Sequence, residues 1–330
     1  MKEYGGQLPL DLYGKEFYDR IEGGEILRMN AARYAIVEAV IDGGFSHLWV
    51  PVYTCRTVTD ALEAANISYS LYNIDESFEP DIKVTGSGEC ILITNYFGIF
   101  GRHFYQKMLA RYDHIIFDHT QSFYAEPILR KKVYNVYSPR KFFGVSDGAY
   151  LITSFLEKKH VLEQDVSYKR SLRLLKALEL GANSAYEDYL ISEDQLAVDG
   201  ARKMSALTRK LMSGINYENV YKIRNRNYHY LHEKLKAYNQ LQIPNTGVCP
   251  QIYPLLLDTG KAVFRRYLVE HKIFIPQWWK RIISSQDSNE WEKHLAVDLY
   301  PLPIDQRYRE ADMDDMVSIV ISGLESKMTD

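Results

Sequence analysis

Asp118 ends the apolar run His114-Ile115-Ile116-Phe117, and Lys141 follows further on, in Tyr137-Ser138-Pro139-Arg140-Lys141-Phe142-Phe143-Gly144. Either residue alone is commonplace, since an Asp after a strand often caps a helix and a Lys is usually solvated. Together they suit a specific chemistry. In open α/β sheets ligands sit at the carboxyl ends of strands, so Asp118 is placed to face one. A lysine in an aromatic, glycine-containing turn has the surroundings that make an amine nucleophilic. Pyridoxal phosphate needs both groups: an amine to form a Schiff base with its aldehyde, and a carboxylate to pair with its pyridine nitrogen. Its phosphate asks for a helix N-terminus and hydroxyl donors.

The elements that would position these residues are legible as patterns. Leu48–Val52, Ser68–Tyr72, Ile91–Thr94 and His114–Phe117 are short apolar runs that predict buried strands. Thr57–Ala65 and Phe104–Ala110 lie between them as helices, and alternation of this kind predicts a parallel sheet covered on both faces. Asn30 is the expected cap of a helix over Ala31–Val40. After Lys141 two strand-like runs are expected, ending near Ile152-Thr153. A long helical stretch then runs from about Leu156 to Tyr238, with turn signals at Gly181 and Gly214-Ile215-Asn216. The last part reads as a small α+β unit: a strand over Pro250–Leu257, a helix over Lys261–His271, a strand at Ile273–Ile275 and a closing helix over Asp312–Leu324. The expected division is a large cofactor-binding α/β domain over 1–220 and a small C-terminal domain over 221–330, with the boundary inside helix.

At 330 residues the chain is long enough for roughly two domains. Its 46% hydrophobic and 25% charged residues are ordinary globular composition and exclude a disordered or fibrous chain. A formal charge of -3 argues against a nucleic-acid binder. No apolar run is long enough to predict a membrane span, and Met1–Gly6 leads into no signal-like segment, so a cytoplasmic protein is expected. Cys55, Cys90 and Cys249 are too few and too scattered for a disulfide framework or zinc site. No Gly-rich phosphate loop with a trailing Lys and no HExxH occurs. His229 and His232 are read as surface or core residues, so no metal is expected.

In order along the chain, several segments resemble the DegT/DnrJ/StrS group of sugar aminotransferases, pyridoxal-phosphate enzymes of fold type I. Asn30–Ile36 resembles the family's first helix start, and Val50–Cys55 its V-P-x-Y-T strand end. Asn95-Tyr96-Phe97-Gly98 resembles its His/Asn-x-Tyr/Phe-Gly segment, and Asp118-His119-Thr120-Gln121 its D-x-x-Q signature. Ser138–Lys141 with Asp147-Gly148 resembles the lysine loop, and Leu302–Asp305 with the helix after it the terminal L-P-x-x segment. The resemblance implies a mostly parallel central sheet, a small C-terminal α+β domain and a homodimer. It implies transfer of an amino group from a donor such as glutamate to a keto group on a nucleotide-linked sugar.

By the same resemblance, Lys141 carries the Schiff base and shuttles the proton. Asp118 pairs with the pyridinium nitrogen and Gln121 lies by the phenolic oxygen. Ala32 and Arg33 offer backbone amides to the phosphate, and Asn95 reaches toward the ring. The chain departs from the family at Val136, where a Ser is common. Ser138, in the Ser-x-x-Lys spacing of the aspartate aminotransferase branch, is then the phosphate hydroxyl. Cys55 stands where an aromatic often stacks on the ring, leaving that place to Cys55 itself, to Tyr53 or to a residue from elsewhere. Arg307 is a candidate for a substrate carboxylate or phosphate, and the pair Trp278-Trp279, Trp278 foremost, for a substrate wall, beside the plainer readings of surface ion pair and of core or interface packing. Two alternatives stay open: a pyridoxal-phosphate enzyme of another reaction type, such as a dehydratase or amino-acid-modifying enzyme, and a fold relic with a binding role.

Overall fold

The computed structural model describes residues 4, 6–82, 86, 88–244, 249–258 and 262–325. The opening residues 1–3 and Lys261, where a helix start was expected, lie outside them. The strands are β1 (Glu25–Met29), β2 (His47–Pro51), β3 (Tyr69–Tyr72), β4 (Glu89–Thr94), β5 (Ile115–His119), β6 (Val133–Tyr137), β7 (Ala149–Thr153), β8 (Ile252–Leu256) and β9 (Leu299–Pro303). The helices are α1 (Ala32–Gly43), α2 (Arg56–Ala64), α3 (Arg102–Arg111), α4 (Tyr168–Leu180), α5 (Tyr186–Asp199), α6 (Ala206–Ser213), α7 (Tyr217–Leu235), α8 (Ala262–Glu270), α9 (Glu290–Asp298) and α10 (Glu310–Glu325).

Seven strands form one sheet in the order β1-β7-β6-β5-β4-β2-β3. Neighbours from β6 to β3 pair in parallel, whereas β7 is antiparallel to both β6 and β1. Every residue of β5, β6 and β7 is buried, as expected for strands covered on both faces. One face packs under α1 and α2 through residues such as Ile36, Val40, Leu62, Leu92 and Ile116. The other face shares a core with the C-terminal part: Phe97, Tyr105 and Phe117 cluster with Leu231, Tyr253, Leu302 and Met313. There β8 and β9 form a separate antiparallel pair, and α7 runs unbroken through residue 220. Among the described residues no helix is long and apolar enough to cross a membrane.

Three local expectations are corrected. Asn30 does not cap α1. The cap position is Ala31, without a side-chain bond, and Asn30 is buried with its amide tied to the Gly200 carbonyl and the Arg202 N–H. The tertiary bonds to the 200–202 segment outcompete the local one. Between Lys141 and Thr153 there is one strand, β7, rather than two, because its antiparallel partner β6 precedes Lys141. Ile273–Ile275 forms no strand: the Ile273 N–H bonds the Leu268 carbonyl at the end of α8, and Ile273 and Ile275 are buried side chains of the C-terminal core.

Candidate active site

The carboxyl ends of β2, β4, β5 and β6 converge on a cavity of about 530 Å³. From the sheet come Thr54, Cys55, Thr94, Asp118, Thr120, Gln121 and Ser138. From α1 come Ala32 and Arg33, from the β6–β7 connection Arg140 and Lys141, and from α4 and α5 Arg173, Tyr189 and Glu193. Trp279 completes the wall from the C-terminal part.

Lys141 and Asp118 therefore open on the same space. The Lys141 Nζ donates to Thr120 Oγ1 at 3.2 Å, and the Thr120 N–H donates to Asp118 Oδ1 at 2.8 Å, so Thr120 sets the spacing of acid and amine. Lys141 touches the open cavity, so its surface is solvent-accessible, yet protein crowds it at longer range. That desolvation lowers its pKa below the ordinary lysine value, against the pull of the Asp118 carboxylate. Beneath this pair, His119 stacks on Tyr137 at 4.7 Å between ring centres. Burial pushes its imidazole down to about 3, so it is a neutral spacer at working pH.

The lysine turn is held from both sides. Asp147 accepts from the Ser205 N–H and from the Ser205 hydroxyl, each at 2.8 Å, and from the Thr208 hydroxyl. Ser205 in turn caps α6 by accepting from the Thr208 N–H at 3.0 Å. Gly148 has φ +125°, and its N–H donates to the Asn30 carbonyl at 2.6 Å. On the other side Gln306 donates to the Phe142 carbonyl at 2.8 Å, while Arg224 donates to Gln306 and lies over the Phe142 ring. The segment after β9 thus clamps the residue next to Lys141.

The α1 start is suited to an anion. Its cap makes no side-chain bond, so first-turn N–H groups remain for a ligand. The Arg33 guanidinium lines the same space with its Nε and Nη2 buried and unpartnered in the protein. Ser138 adds a hydroxyl. The donor set fits a phosphate dianion, and with Asp118 and Lys141 it fits pyridoxal phosphate.

Gln121 lines the cavity, with its Oε1 accepting from the Phe97 N–H at 2.7 Å, which leaves its amino end for a ring oxygen. That contact needs Gly98 at φ +75°, where a Cβ would fall 2.2 Å from the Gln121 carbonyl oxygen. Cys55 is at the wall, its thiol 3.1 Å from Thr57 Oγ1. Four expected residues are not on the wall. Asn95 points to the opposite side of β4, where its amide bonds Phe100 and Tyr105. Tyr53 is wholly buried, edge-on to Trp279 at 4.5 Å. Trp278 stacks on Phe97 at 5.8 Å, and its neighbour Trp279, with a left-handed backbone, takes the wall instead. Arg307 is bound by both its Nε and Nη2 to Asp305. The sequence reading passed over Thr94, Thr120, Arg140, Arg173, Tyr189 and Glu193 as site residues, and of the Trp278-Trp279 pair it favoured Trp278. The hydroxyl inside Asp118-His119-Thr120-Gln121 was the one available signal, for Thr120.

No protein-family model matches the sequence, and no curated protein does. Solved structures match in fold. The sugar aminotransferase CalS13 from Micromonospora echinospora superposes with a TM-score of 0.63 at 14% identity, over 90% of this chain and 87% of its own. A DegT DnrJ EryC1 StrS aminotransferase from Brucella abortus gives 0.60 at 13%, over 90% and 85%. DesV from S. venezuelae, solved with a ketimine intermediate, gives 0.60 at 13%, over 90% and 84%. The fold is that of these fold-type-I proteins, as the motifs implied.

Proposed function

We propose that this chain is a pyridoxal-phosphate-dependent aminotransferase that moves an amino group from an amino acid such as glutamate to a keto group on a sugar, most simply a nucleotide-linked one. The observation that carries the proposal is the convergence of Lys141 and Asp118 on one cavity beside the uncapped start of α1. When bound, the cofactor supplies an aldehyde that condenses with amines and a ring that takes up carbanion electrons. Lys141, with its lowered pKa, is the amine that carries a free electron pair and the group that moves the proton. Asp118, fixed by the Thr120 N–H, presents its carboxylate to a pyridine nitrogen. The first-turn amides of α1, Arg33 and Ser138 hold the phosphate, and Gln121 turns its amino end to the ring oxygen.

The division at residue 220 belongs to the same proposal, as does assembly into a homodimer. Support for the dimer is the stripe Tyr168, Leu172, Leu175 and Leu178 on α4, each at least 58% exposed and spaced as one helical face.

The test is direct. Purified protein incubated with pyridoxal phosphate should turn yellow, and borohydride should fix the cofactor's mass on the Lys141 peptide. Added glutamate should then bleach the colour. A protein that takes no cofactor would overturn the proposal; a yellow protein indifferent to every amino donor would leave the cofactor and remove the transamination.

A further inference from the structure

Arg140, from the β6–β7 connection, and Arg173, from α4, line the cavity from elements other than α1, which carries Arg33. The Arg140 side chain is 17% exposed and paired through Nη2 to Glu193, and its Nε is buried without a protein partner. Arg173 likewise has a buried, unpartnered Nε; its Nη2 reaches only the Val145 carbonyl at 3.4 Å, and its guanidinium lies over the Tyr189 ring at 5.1 Å. Two guanidiniums and one carboxylate leave this wall with a surplus positive charge. Burial and the nearby Arg140 both lower the pKa of Arg173, the signature of like charges kept together in a poorly solvated place. Such an arrangement is costly unless an anion completes it, because a buried guanidinium donor without an acceptor forfeits its hydration.

We propose that Arg140 and Arg173 form a second oxyanion site in this cavity, separate from the α1 phosphate cradle, which takes an anionic group of the substrate. The planar, multidentate guanidinium suits carboxylate and phosphate oxygens equally, so the shared chemistry is a carboxylate of the amino donor or the diphosphate of a nucleotide-linked acceptor. Glu193 is the internal stand-in: it occupies Arg140 in the empty site, and an incoming anion competes with it. The inference deepens the aminotransferase proposal by naming what its substrates carry.

Calorimetric titration with glutarate and, separately, pyrophosphate tests it on protein loaded with pyridoxal phosphate, so that the α1 cradle is filled. Arg173→Gln and Arg140→Gln should each weaken binding by about 10–100-fold, with Arg173→Lys losing less. Glu193→Gln should tighten it, a change of sign that a merely structural role would not produce. Preference for glutarate identifies the donor carboxylate, and preference for pyrophosphate the acceptor diphosphate. The proposal is overturned if wild-type protein binds neither probe, if both arginine variants bind as wild type does, or if Glu193→Gln weakens binding. It is also overturned if Arg173→Gln impairs cofactor uptake as much as Arg33→Gln does, since Arg173 would then belong to the first cradle. Should the protein take no cofactor at all, the same titrations on an Arg33→Gln background still read this site, so the two proposals fail separately.

Discussion

The wall behind Lys141 and the hairpin in front of it are built on opposite terms. Behind, Asp118, Thr120, Gln121, Ser138 and Asp147 are all buried, and the bonds of Asp147, Gln121 and Thr120 tie the lysine turn, the Gly98 loop and the strand ends together. In front, α4 buries only Arg170 and Ser171, and α5 only Ser192 and Leu196. Arg173 of α4 and Glu193 of α5 line the cavity beside Leu174 and Leu190, while Leu172, Leu175, Leu178 and Ile191 are exposed. A solvated surface helix would not carry such an exposed apolar stripe. The back wall is tied together by bonds within one chain. On the proposals above, the front wall keeps its charges for a substrate anion and its apolar side for a second copy of the chain.

The largest expected effect lies at the back. Lys141→Ala should cut amino transfer by on the order of 10²–10⁴-fold and leave no borohydride-fixed mass on the peptide. In the intact protein a lowered lysine pKa leaves more neutral amine at a given pH. Labelling of Lys141 by an aldehyde should therefore rise through a midpoint below the ordinary lysine value of 10.5; a midpoint at or above it would break the argument.

Next comes Gly98→Ala, which forces a Cβ against the Gln121 carbonyl in a left-handed backbone. It should cost about 2–5 kcal/mol in urea unfolding, and a neutral result would mean that the back wall yields easily. Ser205→Ala removes the α6 cap and one of the hydroxyls on Asp147. A loss of about 0.5–2 kcal/mol, read by thermal melting, sharpens how much of the wall rests on that carboxylate.

The smallest effect on folding belongs to the front. Leu175 is 61% exposed, so Leu175→Lys should change unfolding free energy by no more than about 0.5 kcal/mol. Sedimentation equilibrium should nevertheless show the proposed dimer for the unaltered chain and a monomer for the variant. Unfolding of the chain instead would place Leu175 in a folding core and erase the contrast.

Much of the fold was legible because its cues are local. Apolar runs between helical stretches announced β2 to β5, and the acid near the end of β5 and the lysine after β6 stood out by type and place. What escaped notice depends on orientation. Thr94 and Asn95 are adjacent at the end of β4, and the alternation of side chains sends Thr94 to the cavity and Asn95 behind it. Trp278 and Trp279 are equal as letters, and a left-handed backbone at Trp279 decides which one meets the site.

The sequence by itself determined the acid, the amine and the alternating strands and helices that carry them, because periodicity and residue type act over a few neighbours. Tertiary structure alone decided who joins them. Arg173, Glu193 and Trp279 come from elements far along the chain, the Phe142 clamp comes from Gln306, and Asn30 gave up a helix cap for the segment at 200–202. A cavity is a meeting of surfaces from separate elements, and its membership follows from how those elements pack.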